Sequence, residues 1–159
     1  MTRDYGVAAL GGALGGLVGA AVMTAGEKAE QLVTRRPDSY VPAHTLAHLL
    51  RLGSPDDDRW VRNMAMHYGT GAVAGSIRGL MSAANLRGPL ASLMHMQVRL
   101  SVDQTLENAT GVGSPPWTWP RDELAIDLVH KAVYALTTGI IADALVAPAA
   151  GSSAPSRGG

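Results

Sequence analysis

The chain has 159 residues, enough for one domain with a buried core. Thirteen basic residues balance thirteen acidic ones, so nucleic acid is not an expected partner; the absence of Cys excludes disulfides and thiolate metal sites. Phe is also absent while Gly reaches nineteen, a composition that suits helices approaching one another closely, as in membrane bundles.

Asp4 and Glu27 bracket twenty-two uncharged residues, YGVAALGGALGGLVGAAVMTAG. As a helix this stretch is roughly 33 Å long at about 1.5 Å per residue, enough to cross a bilayer core. A secretory signal has a similar apolar run. Here the one Arg before it is offset by Asp4, and polar helix (GEKAEQLVTRR) follows directly, so an uncleaved span over 5–26 is expected. Gly11, Gly15 and Gly19 recur every four residues, as do Gly12 and Gly16. In lipid such rows form a small-residue seam for another helix.

Residues 27–62 form the polar segment. Pro37 ends the first helix, Ser39 to Pro42 is expected to be extended, and a short amphipathic helix, AHTLAHLLRLG, is expected to stop at Gly53. His44 and His48 stand four apart, a spacing able to share a metal, but no third ligand is near in sequence and a helix at the membrane interface is favoured. Ser54-Pro55-Asp56 resembles a cap for a helix beginning near Asp57. Six of the thirteen basic residues lie here, which by the positive-inside rule places the segment in the cytoplasm and the N-terminus outside.

The second apolar segment covers 63–86 and repeats the four-residue glycine spacing at Gly71, Gly75 and Gly79, so each seam offers the other a partner face. His67 and Arg78 lie within it, and Arg78 should turn inward or snorkel. Arg87-Gly88-Pro89 makes a turn. The third segment, 89–108, carries His95, Arg99, Asp103 and Glu107 at strict four-residue spacing, hence on one helix face. In isolation such a stripe suits a solvated amphipathic helix; between two apparent spans it should face a bundle interior, opposite Asp127, His130 or Arg78. The prolines of GVGSPPWTWPRDE make that stretch non-helical, with Trp117 and Trp119 either anchored at the membrane interface or packed in the core. The last helix, 122–147, starts after Pro120 with acids in its first turn and brings Asp127, His130, Lys131 and Tyr134 together in its first half. The tail, 149–159, has the composition of a disordered segment.

The glycine-rich first span ending in MTAGEKAEQ, the RRP turn, HYGTGAVAG opening the second span and the late WPRDELAIDLVH helix together resemble the YagU-like family of small bacterial inner-membrane proteins, over roughly residues 7 to 145. That resemblance implies a multi-span helical membrane protein and carries over no catalytic residues. The fold expected is thus all-α: a small membrane bundle of about four principal helices with glycine-rich seams, in a single domain.

No nucleophile elbow, P-loop or dinucleotide fingerprint occurs, and no cofactor is indicated. Two functions remain. The leading expectation is a non-enzymatic component of the inner membrane acting by helix association, with the bilayer as partner and the glycine seams supporting a homo-oligomer. The alternative is a membrane enzyme or transporter using a polar interior, in which His67, His95 and His130 with Glu27, Asp103, Glu107 and Asp127 serve a divalent cation or a proton relay. Structural pairing of these charges is the simpler expectation.

Overall fold

The computed structural model describes residues 4–54 and 56–146. The tail 149–159 and Pro55 of the Ser54-Pro55-Asp56 cap lie outside them. The described residues fold into five α-helices: α1 (Tyr5–Thr34), α2 (Val41–Leu50), α3 (Arg59–Ala83), α4 (Gly88–Ala109) and α5 (Arg121–Leu145).

Each helix begins and ends for a local reason. The Asp4 carboxylate accepts from the Val7 amide at 3.0 Å and caps α1. The other end of α1 closes on Arg35 in the left-handed region (φ 60°), two residues before Pro37. Pro42 sits inside the first turn of α2, where its missing N–H is harmless, so α2 starts earlier than expected. It also stops earlier. Arg51 (φ 51°), not Gly53, makes the left-handed cap, and its amide donates to the Ala47 and His48 carbonyls. α3 starts at Arg59 after a left-handed Asp58, two residues later than the sequence suggests. The aromatic-proline stretch is not wholly non-helical: Pro116–Thr118 forms one 3-10 turn, whose fixed φ values proline supplies.

The four long helices alternate in direction. α1 packs along α3 and α5, and α4 packs along the same two from the other side. The glycines set the spacing. A Cβ on Gly12 would lie 2.2 Å from the Gly75 carbonyl oxygen, and one on Gly16 would lie 2.1 Å from that of Gly71. Gly79 likewise meets the backbone of Ala8 and Gly12. The row Gly11, Gly15 and Gly19 does not meet α3, as the paired seams had suggested; it faces α5, at Leu145, Thr138 and Tyr134 respectively. Successive residues are about 100° apart around a helix, so two adjacent glycine rows face two different neighbours.

The apolar core is small and built mainly of alanine: Ala20, Met23, Ala74, Tyr134 and Ala135 in one group, Ala8, Ala83 and Val146 in another. The largest fully buried side chains are Arg78, Arg99, Tyr134 and His95. Large apolar side chains face outward instead, including Leu10 and Leu14 on α1, Val73 on α3, Leu90 and Leu93 on α4, and Ile140 on α5. Two helices, α1 and α5, are long and apolar enough to cross a membrane.

Candidate functional site: a charged interior and an end cleft

The four-residue stripe of α4 runs into the bundle. His95, Arg99 and Asp103 are buried and Glu107 is half-buried. His95 Nε2–H donates to the Ala74 carbonyl of α3 at 2.9 Å, and its ring lies 5.5 Å from that of Tyr134. The Arg99 guanidinium sits 4.7 Å above the Tyr134 ring, a cation–π arrangement, and Tyr134 O–H donates to the Gly71 carbonyl at 2.7 Å. Arg99 Nε–H donates to Asp103 Oδ2 at 2.8 Å. From α5, Lys131 Nζ reaches the same Asp103 oxygen at 3.2 Å and Asp127 Oδ1 at 3.0 Å. Two cations thus alternate with two carboxylates. Asp103 and Asp127 each have a cation in contact where antiparallel α4 and α5 bring them close.

Arg78 is not opposite this stripe. It belongs to a second cluster toward the far end of the bundle, with a partner the sequence does not single out. Its Nη2 donates to Asp143 Oδ2 at 2.8 Å and its Nη1 to Ser82 Oγ at 2.5 Å. Ser82 Oγ donates in turn to Asp143 Oδ1 at 2.6 Å, and the Gly88 amide to Oδ2 at 2.9 Å. Arg87 completes the set by donating to the carbonyls of Asp143 and Val146. Gly139 makes room for it, because a Cβ there would lie 2.2 Å from Ser92 Oγ and 3.3 Å from Arg78. The network ties the α3–α4 turn to the end of α5 and leaves both Asp143 oxygens occupied. Its chemistry is structural.

At the opposite end the helices splay around a cleft of about 450 Å³. His67, Glu107, Asp127 and His130 line it, joined by Glu27, Arg36, Trp119, Glu123 and Lys131. Deeper in, a small annex of about 30 Å³ is bounded by His67, Thr70, Arg99, Asp103, Glu107 and Lys131. The annex adjoins the charged interior, and four of its residues also line the cleft. Of the residues the sequence points to, His67, Glu107, Asp127 and His130 therefore share the cleft wall. Arg99 and Asp103 stand behind it, His95 lies deeper, and Arg78 is elsewhere.

Arg36, Trp119 and Glu123 come to the cleft from connecting segments or a helix start. Only their place beside a turn hinted at this. Trp119 is half-buried, with its indole N–H donating to the Ser114 carbonyl at 2.8 Å, whereas Trp117 is exposed. His44, one of the two spaced histidines, lies 3.2 Å from Asp56. Among the described residues no group of three or more His, Asp and Glu is placed to hold a metal ion.

Comparison with protein-family models, curated proteins and solved structures finds no match to this chain.

Proposed function

We propose that the chain is a multi-pass inner-membrane protein that binds a small ligand in the cleft at one end of its bundle. The observation that carries this is the placement of charge. Across residues 5–26, 63–86, 88–106 and 124–146, every Asp, Glu, Lys or Arg side chain is buried or half-buried, and the outward positions are mostly apolar, the polar ones being uncharged: Asn85, Gln97, Ser101 and Thr105. The fully exposed charges lie at the ends: Asp4 at one, and Lys28, Arg35, Asp38, Arg51, Asp56 to Arg59 and Arg121 to Glu123 at the other. A soluble bundle has the reverse pattern. In hydrocarbon a charge at the bilayer centre costs about 2.5–3.5 kcal/mol on insertion scales, so charges turn inward and pair. Exposed Trp60 and Trp117 lie at the charged end, where indole rings favour the headgroup level. The resemblance to the YagU-like family agrees with this location.

The charge bias of 27–62 orients the protein with that segment and the cleft in the cytoplasm and the start of α1 outside. The cleft favours binding over self-association as the mode of action. Its volume is that of a small-molecule site, and both glycine rows of α1 are filled by helices of the same chain. The homo-oligomer expected from those seams would need another face. Fractionation of full-length protein tests the location, and detergent-solubilised protein with single substitutions in the cleft tests the role.

A further inference from the structure

The cleft walls carry four carboxylates, Glu27, Glu107, Glu123 and Asp127, against two permanent cations, Arg36 and Lys131. Both cations are already engaged. Arg36 Nη2 lies 3.0 Å from Glu30 and 3.7 Å from Glu27, and Lys131 bridges Asp103 and Asp127. Glu107 and Glu123 have no ion-pair partner among the described residues. Among the described residues, the one side-chain hydrogen bond to the Glu107 carboxylate comes from Gln104, at 3.4 Å.

The surroundings hold Glu107 in place. Gly113 packs against it so closely that a Cβ there would lie 2.7 Å from Glu107 Cβ and 3.3 Å from Oε2. Behind it, Arg99 Nη1 is buried without an acceptor among the described residues and borders the annex that Glu107 also borders. At about 30 Å³ the annex exceeds the roughly 10–15 Å³ that one water molecule needs, so it has room for one. Trp119, its ring fixed by the bond to Ser114, supplies an aromatic wall, and Met23 and Ile126 supply apolar ones.

We propose that the cleft binds a small organic cation, with its ammonium group between Glu107 and Glu123 and its apolar body against Trp119. This rests on the cleft being a ligand site. The chemistry is that of carboxylate and aromatic recognition of a positive nitrogen. A bare metal ion fits poorly. The space is far larger than an ion, and no described group of three or more ligands surrounds it.

Full-length protein purified in detergent tests this by calorimetric titration and by Trp fluorescence. The probes are choline, propylammonium and 3,3-dimethylbutan-1-ol, which is choline's uncharged isostere, with butyrate and Mg²⁺ alongside. The expected result is saturable binding of choline or propylammonium and none of the isostere. Glu107→Gln should weaken binding about tenfold or more. Trp119→Leu should weaken it while leaving the protein folded, and Asp58→Asn should leave it unchanged. Each variant's melting curve separates lost binding from lost fold. If Glu107→Gln does not fold, Trp119→Leu and Glu123→Gln carry the test.

Three results overturn the proposal: neither ammonium binds, the isostere binds as well as choline, or folded Glu107→Gln binds with unchanged affinity. Binding of butyrate or Mg²⁺ alone overturns the organic-cation class but keeps the cleft as a ligand site. Silence from all five probes removes both.

Discussion

Asp103 is the residue on which the interior depends. It is buried, and Arg99 and Lys131 both lean on it. Removing one partner of a buried ion pair leaves the other charge without compensation, at about 3–5 kcal/mol. Asp103→Asn should therefore lower the melting temperature of the detergent-solubilised protein sharply. Asp58→Asn, on the exposed polar segment, should stay within about 0.5 kcal/mol. Equal effects would contradict the pairing. Asp143→Ala should be as damaging as Asp103→Asn, because it strands the fully buried Arg78.

The two clusters also show what was legible residue by residue. The α4 stripe was visible because its members are four apart in one helix, and a single-helix rule brings them together. Asp143 was not, since Arg78 is 65 residues away and no local period connects them. The available signal was weaker: an acid in the apolar second half of one helix and a base in the apolar second half of another, each of which needs a partner. Outside the helices, the hydrogen bond from Lys28 holds the Asp38 carboxyl below its ordinary value of 3.8, its slight burial opposing this. A depressed carboxylate stabilises above the unfolded value, and that contribution is lost as pH falls through the lowered one. An NMR titration should place the Asp38 midpoint below 3.8 and return it toward that value in Lys28→Met.

At the level of elements, the glycine rows predict a graded series. Gly75→Ala drives a Cβ to 2.4 Å from the Gly12 carbonyl oxygen, and only backbone is there to move. It should cost about 1–3 kcal/mol or more by overpacking. Gly15→Ala meets the Thr138 carbonyl at 3.1 Å and should be milder; Gly11→Ala, at 3.4 Å from Val146, milder still. Gly26→Ala meets nothing within 4 Å and should stabilise by about 0.4–1 kcal/mol. Melting curves of the four variants check the order, and a flat series would mean that α1 does not approach α3 closely. The existence of the long helices was readable because Pro and Gly punctuate the chain at the turns. Their ends were less so. Arg35, Arg51 and Asp58 adopt left-handed backbone that residue type does not advertise. The two neighbours of α1 were hidden for a different reason, since a glycine row shows that something packs there but not what.

For the whole molecule, the proposed membrane location follows from a polar interior within an apolar exterior. It carries a topology that the Cys-free chain makes simple to read. Single cysteines replacing Arg51 and Asp122 should react with impermeant thiol reagents only from the cytoplasmic side, and one replacing Leu86 only from the other. Labelling of all three from one side would contradict a four-span arrangement. The cleft end was anticipated only in part. Helix faces predicted that Glu107 points inward with Asp127, His130 or Arg78 opposite, and His67 was a candidate for a polar interior; Arg36 and Trp119 reach the cleft from loops, whose paths no periodicity describes. The most direct test is to fractionate cells carrying the full-length protein, wash the membranes at alkaline pH, and then add detergent. The protein should stay with the washed membranes and be released only by detergent; recovery in the supernatant without detergent would contradict the inside-out bundle as a membrane fold.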